Sequence, residues 1–191
     1  MHEIEPFFMW RYYYVSEEDE NSPFYQREYS EFGFKNTVYN YCIHPQWDEF
    51  GSSTLYLKII YADYNKNYAI IELIGEWNDC ITNDIMYLKS NVTDVLAEKG
   101  INKFILIGEN VMNLHCDMDD YYAEWFDEID DGWIVGINFR DHVVNEFITN
   151  NIDYYIMFEE RFDKANWRSL KPDDLFEWIE ELITKKISTT T

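Results

Sequence analysis

The apolar positions of this chain change period several times, and each change marks an element. From residue 54, TLYLKIIYADYNKNYAIIELIGEW holds two runs rich in β-branched and aromatic residues around Asn65, Lys66 and Asn67, the pattern of a β-hairpin. Its second arm, Ala69 to Ile74, is nearly continuous in apolar residues, as an inner strand covered on both faces requires. Ile85, Leu88, Val92, Val95 and Leu96 then recur at helical steps up to Gly100. This predicts a helix with one apolar stripe, capped by Asp79 or Thr82 and stopped by a glycine free to turn left-handed. FILIGENV from Phe104 reads as a short buried strand. In the helix after it, Tyr122, Trp125, Phe126 and Ile129 share one face while Glu124, Asp127, Glu128 and Asp131 fall largely elsewhere. GWIVGINF is the next strand, Asp141 caps a short helix bearing Val143, Val144, Phe147 and Ile148, and DYYIMF from Asp153 is the last strand. A final helix starts at Pro172. Asp173 and Asp174 occupy its first turn and Lys185 and Lys186 its last, as the helix dipole favours, with Leu175, Ile179, Leu182 and Ile183 facing the core.

From residue 54 the order is strand, strand, helix, strand, helix, strand, helix, strand, helix. That order implies an α/β fold, a mixed sheet in which a β-hairpin is followed by alternating helices and strands with right-handed crossovers. The first fifty residues hold no helical period. FFMWRYYYV, FYQREY and TVYNYCI look like strands separated by the acidic turn SEEDENSP. The expected organisation is an antiparallel, β-rich N-terminal extension over residues 1–53 lying on the sheet, an α/β domain over 54–187, and a frayed tail over 188–191.

The element order from Leu55 to Phe158 resembles the STAS domain of bacterial anti-sigma factor antagonists and sulfate transporter tails. AIIELIGEWND is similar to that family's strand ending in a Gly-Glu-Leu-Asp type turn. FILIGENVMNLHCDMDD looks like its central strand and following loop, and GWIVGINFRDHVVNEFITNNIDYYIMF like its closing strand, helix and strand. In the antagonists that loop carries an Asp-Ser-Ser-Gly motif, whose serine is phosphorylated at a helix N-terminus to switch partner binding. Laid over this chain, the motif falls on His115, Cys116, Asp117 and Met118, so the phosphorylatable serine is missing. The resemblance therefore implies a regulatory STAS-like fold whose loop is presented at a helix start. Asp117 there either imitates the modified serine permanently or marks a loop that has lost the role.

Composition narrows the partners. The 191 residues suit one medium domain, and 47% apolar content suffices for a core. With 15 Lys and Arg against a net charge of −22, the clustered basic stripe needed for nucleic acid or an anionic membrane is missing, while a basic partner is compatible. The plainer use of the charge is solubility. No apolar run approaches the ~20 residues of a spanning helix, and MHEIEPFFMWRYYYV lacks the basic start and cleavage site of a signal peptide. A cytoplasmic location is expected. Cys42, Cys80 and Cys116, an odd number without a CxxC pair, fit reduced thiols and neither a disulfide framework nor zinc.

The stretch NLHCDMDDYYAEWFDEIDDGW, residues 113–133, concentrates the candidate chemistry, setting a histidine beside a cysteine and eight carboxylates with no basic residue. A thiol nucleophile needs an imidazole in reach, yet neighbours on an extended segment point to opposite faces, so His44 or His142 would have to be the base. A small thiol packed in a loop is the plainer reading. A calcium loop needs alternating acids, a glycine and a distant Glu, and Tyr121 stands where the third acid belongs. No metal or other cofactor is expected beyond loose cation binding. Asp117, Asp119 and Asp120 suit the start of the helix, worth roughly 0.3–1 kcal/mol each. Asp127, Glu128, Asp130 and Asp131 sit at the end where the dipole disfavours them, and need solvent or a basic partner. Those seven acids form the candidate partner-binding set.

Two further segments offer a candidate ligand pocket between the extension and the sheet. His44 and Trp47 lie in YCIHPQWDEFGSS, and Glu76 and Asp79 in IGEWNDC at a strand end, where open sheets bind ligands. The plainer alternatives are a turn at Pro45 with a linker to Gly51, and a helix cap at Asp79. Neither GxGxxG, GxxxxGK nor GxSxG occurs, which sets aside nucleotide enzymes and serine hydrolases. The preferred expectation is a non-enzymatic regulatory or adaptor protein that binds a protein partner, with a basic one favoured, through the acidic loop and helix. The alternative is a small-ligand binder or hydrolase using His44, Trp47, Glu76 and Asp79. A homodimer through an aromatic edge strand of the extension is compatible with both.

Overall fold

The computed structural model describes residues 4–30, 32–116, 118–164 and 166–189. Strands β3 (Leu55–Asp63) and β4 (Tyr68–Asn78) pair antiparallel from Leu55↔Gly75 to Asp63↔Tyr68. Asp63 closes their turn by accepting the Asn65 and Lys66 amides at 2.8 and 3.1 Å, and Asn67 takes the left-handed conformation, the local bonding that makes Asn and Asp turn formers. The remaining strands, β5 (Lys103–His115), β6 (Trp133–Ile137) and β7 (Met157–Phe158), add in parallel, giving a five-stranded mixed sheet in the order β3-β4-β5-β6-β7. This is the order of elements that the STAS resemblance implied. Two short strands in the N-terminal region, β1 (Thr37–Val38) and β2 (Tyr41–Cys42), form a separate hairpin.

Helices α1 (Asp84–Leu88) and α2 (Asp94–Ala97), joined by a π-helical turn over Lys89–Thr93, run from β4 to β5. Helix α3 (Asp120–Glu128) links β5 to β6, and α4 (Asp141–Thr149) leads from β6 toward β7. Because each connection joins neighbouring parallel strands in the same direction, a common handedness puts all of these helices on one face. There Leu73, Leu106 and Ile134 pack with Leu88, Tyr122, Trp125 and Phe147 in the main core. Helix α5 (Pro172–Thr189) follows the last strand and covers the opposite face, where Phe176 stacks on Tyr68 at 4.0 Å and Leu175 and Ile179 meet Ile70 and Ile105. With both faces covered, β4 is buried along its length except at Glu76.

The described residues before β3 cover the rest of that second face, with Val38, Ile43 and Trp47 on Tyr56 and Ile74, and also reach the main core through Phe24 and Phe50. The expected β-rich extension is corrected in detail. Met9–Tyr12 is a 3₁₀ turn, and β1, β2 and a single bridge from Asp48 to Leu57 are the β structure among its described residues. Away from that bridge the segment lies on a sheet face and cannot join the ladder, so its polar groups bond individually: the Trp10 indole N–H donates to the Leu170 carbonyl at 3.0 Å and the Phe7 amide to Glu72 at 2.8 Å. No long aromatic edge strand for a homodimer is formed there among the described residues.

Four boundaries also differ. Strand β5 is thirteen residues long and runs on to His115, well past the short FILIGENV strand expected. DYYIMF contributes only Met157–Phe158 as strand, with Ile152–Tyr154 in a 3₁₀ turn. Asp141 occupies the first turn of α4, whose cap position is Arg140 without a side-chain bond. Helix α5 extends to Thr189, past the residue 188 at which fraying was expected, and residues 190–191 lie outside the described ones.

Candidate functional site

The carboxyl ends of β4 and β5 carry Glu76, Asp79, His115 and Cys116 among the residues singled out in the sequence. At Gly75 the backbone takes φ +120°, and a Cβ would stand 2.1 Å from the Thr54 carbonyl, so only glycine lets the chain pass. Beyond it Glu76 and Trp77 point to opposite faces. Glu76 Oε1 lies 2.9 Å from His115 Nε2 at the rim, whereas the strand end carries Asp79 under the helices. Asp79 accepts the Tyr122 hydroxyl at 2.6 Å, the Ile85 amide at 2.8 Å and the Trp77 indole N–H at 3.1 Å. Burial pushes the Asp79 carboxyl up to about 6 against the pull of these donors. Burial and Asp79 together hold the Tyr122 hydroxyl far above its ordinary range. This arrangement anchors the start of α1, the cap role weighed for Asp79.

Candidate pocket residues His44, Trp47, Glu76 and Asp79 therefore do not meet. Trp47 is buried, its indole N–H donating to the Ile4 carbonyl at 2.7 Å. His44 sits in a shallow hollow with Glu5, Phe8 and Arg11, where Nδ1 accepts the Gln46 amide at 3.3 Å. Glu76 is at the rim and Asp79 lies on the helix-covered side. Alternation along β4 separates the two acids, a consequence of strand geometry that spacing in sequence does not reveal. The cleft between the extension and the sheet is lined instead by Ile4, Ile43, Ile74, Met112, Asn110 and Arg140, with Tyr41 and Cys42 at its edge. The candidate bases for Cys116 are engaged elsewhere, since His142 Nε2 is 2.7 Å from the Met112 carbonyl and His44 bonds Gln46.

Helix α3 distributes the acidic set. Asp117 lies outside the described residues. Asp120 is exposed in the first turn, and Asp119 accepts the Tyr155 hydroxyl at 3.0 Å. Tyr122, Trp125 and Ile129 are buried as expected, but Phe126 remains 36% exposed. Its ring lies 6.1 Å from Tyr154 and 6.0 Å from Tyr155. Glu128 has an internal partner that the sequence pattern did not disclose, the buried Lys89 ammonium at 2.6 Å, which also meets Asp94 at 3.0 Å and Glu124 at 3.5 Å. Burial alone would lower the Lys89 pKa, and the hydrogen bonds it donates to Glu128 and Asp94 outweigh burial and raise it. Asp127, Asp130 and Asp131 are exposed and pair with no basic side chain among the described residues.

Two charged clusters on the second sheet face escaped sequence reasoning. Lys58 and Glu72 are cross-strand neighbours and both buried, yet each looks away from the other. Lys58 Nζ meets Asp48 and Glu17, each at 3.3 Å, and Asp48 also takes the Tyr29 hydroxyl and faces Arg27 at 3.5 Å. Glu72 Oε2 accepts the Phe7 amide, and its other oxygen lies 3.7 Å from Arg168, itself paired with Glu109. The available signal was a charge inside each apolar strand, LYLKIIY and AIIELIG.

No family model matches the chain, and no curated protein matches it. Among solved structures, the chain is similar to the protein TM1081 determined by NMR, at 18% identity over 46% of this chain and 73% of that one, with a TM-score of 0.36. It is also similar to the anti-sigma factor antagonist SpoIIAA in its unphosphorylated form, at 11% identity over 60% of this chain and 97% of that one, with a TM-score of 0.42. Likeness at these levels carries no function across. The α/β architecture rests on the sheet order and register.

Proposed function

We propose that this chain is a non-enzymatic regulatory or adaptor protein that docks a basic segment of a protein partner on the face made by α3 and residues 151–157. One observation supports this reading above others: exposed rings stand beside carboxylates that, apart from Glu124 and Glu128 on Lys89, pair with no basic side chain among the described residues. Phe126 and Tyr154, the latter 75% exposed, adjoin Asp119 and Asp153, with Asp127 on the same helix. A lysine or arginine side chain laid over these rings is held by cation–π attraction and by the flanking carboxylates together. The surrounding negative field speeds its arrival. Between Asn113 and Asp120 the chain has neither serine nor threonine, so docking here is constitutive and not switched by phosphorylation of that loop.

The test uses the whole chain as bait in cell extract, at low and at high salt, with captured proteins identified by mass spectrometry. A basic protein is expected to be retained at low salt and released at high salt. It should be lost from the bait carrying Asp127→Asn, Asp130→Asn and Asp131→Asn, and from the bait carrying Phe126→Ala and Tyr154→Ala. Glu128 is kept, because its removal would uncover Lys89. Retention that neither bait reduces overturns the proposal.

A further inference from the structure

We propose that the cleft between β2 and the sheet binds a small apolar carboxylic acid, with its hydrocarbon part on Ile43, Ile74 and Met112 and its carboxylate on the Arg140 guanidinium. This inference is independent of the docking face on α3. Charge distribution is the first argument. The chain has 37 acidic residues against 15 Lys and Arg, yet among the described residues no carboxylate lines this cleft and Arg140 is its single charged group. Asp141, the next residue, lines a different hollow with Glu159 and Asp163.

Arg140 is also the arginine left over. Arg27, Arg161 and Arg168 each face a carboxylate and Arg11 bonds Gln46, whereas Arg140 has no side-chain partner among the described residues. Its backbone is fixed at the start of α4, where its carbonyl accepts the Val143 and Val144 amides at 2.9 and 3.0 Å, while the side chain is exposed and free to meet a ligand. A planar guanidinium is the group best matched to a carboxylate. The Asn110 side-chain amide, also without a hydrogen-bond partner among the described residues, adds a donor on the β5 side.

Size and place complete the case. The volume is about 190 Å³, more than the ~150 Å³ that holds benzene and less than the roughly 300 Å³ at which drug-sized pockets begin. One ring or a chain of similar bulk fits. Strand β6 stops at Ile137 while β5 continues to His115, so the cleft opens beside the carboxyl end of β6, with Arg140 just beyond that end. An amine would face Arg140 with like charge, and a neutral molecule would leave the guanidinium without its counter-ion.

Sodium benzoate, with benzyl alcohol as its neutral counterpart, is the probe. Binding is read by the methyl NMR signals of Ile43, Ile74 and Met112 and by the alkylation rate of Cys42 at the cleft edge. Benzoate is expected to shift these signals saturably and to slow Cys42 alkylation, with benzyl alcohol needing at least about tenfold more ligand. Arg140→Gln should weaken benzoate by at least about tenfold and leave benzyl alcohol unchanged. Met112→Trp, which fills the cleft from a half-buried position, should abolish both. Absence of saturation by benzoate, equal binding of the alcohol, or benzoate binding unchanged in Arg140→Gln overturns the proposal.

Discussion

Glu72 has one oxygen on the Phe7 amide and another with no hydrogen-bond partner among the described residues. Burial pushes its carboxyl up to about 7, the Phe7 amide and Arg168 oppose this, and the charge of Glu109 adds to it. The unfolded chain releases this proton near 4.5, so between these two values the folded state binds more protons, and stability falls as pH rises. The cumulative loss is on the order of 3 kcal/mol above the folded value. Glu72→Gln removes the charge and keeps the shape. Denaturant unfolding should show the variant more stable than the parent at pH 8, with the advantage shrinking toward pH 5, and parallel profiles would refute the assignment. The charge inside AIIELIG was legible in the sequence. Its surroundings were not, because Phe7, Glu109 and Arg168 come from three distant segments.

At the scale of elements, apolar spacing located the helix over 84–97 but not its π turn, since Ile85, Leu88, Val92 and Leu96 reach the core in either backbone. That turn brings the buried Lys89 against Asp94, Glu124 and Glu128, so α3 is fastened to the preceding helix by one cation among three acids. All three carboxylates keep at least a third of their surface in water, and removal of Lys89 strands no buried anion. It leaves mutual repulsion instead. Lys89→Met should therefore cost about 1 kcal/mol at low salt and less at high salt, and a loss that salt does not reduce would mean that packing, not charge, holds α3. The N-terminal segment was misread for a related reason. Aromatic runs carry strand propensity, but a segment lying on a sheet face has no ladder to join, and propensity gives way to single anchors such as Trp10 on Leu170.

For the whole molecule, the order of five strands and their helices followed from period alone, because each stripe or alternation must meet a partner layer. Which face α5 covers was not encoded in its period, since an amphipathic helix fits either side of a sheet that is apolar on both. Charge is the property that acts on all elements at once. Paired cations such as Lys58, Lys89 and Arg168 hold parts of the fold together, which screening would weaken. Against them stands a net charge of −22, whose self-repulsion opposes the compact state and is relieved by the same screening. Lys58 with Asp48 and Glu17 sits at contact distance and mostly buried, so salt reaches it poorly; the more exposed pairs of Lys89 and Arg168 are few against the excess of acids, whose repulsion salt screens. Repulsion is therefore the larger salt-sensitive quantity. The melting temperature should rise by several degrees between about 0.01 M and about 1 M sodium chloride, where the screening length falls from roughly 30 Å to roughly 3 Å. A fall over that range would show that the ion pairs govern stability despite the excess of acids.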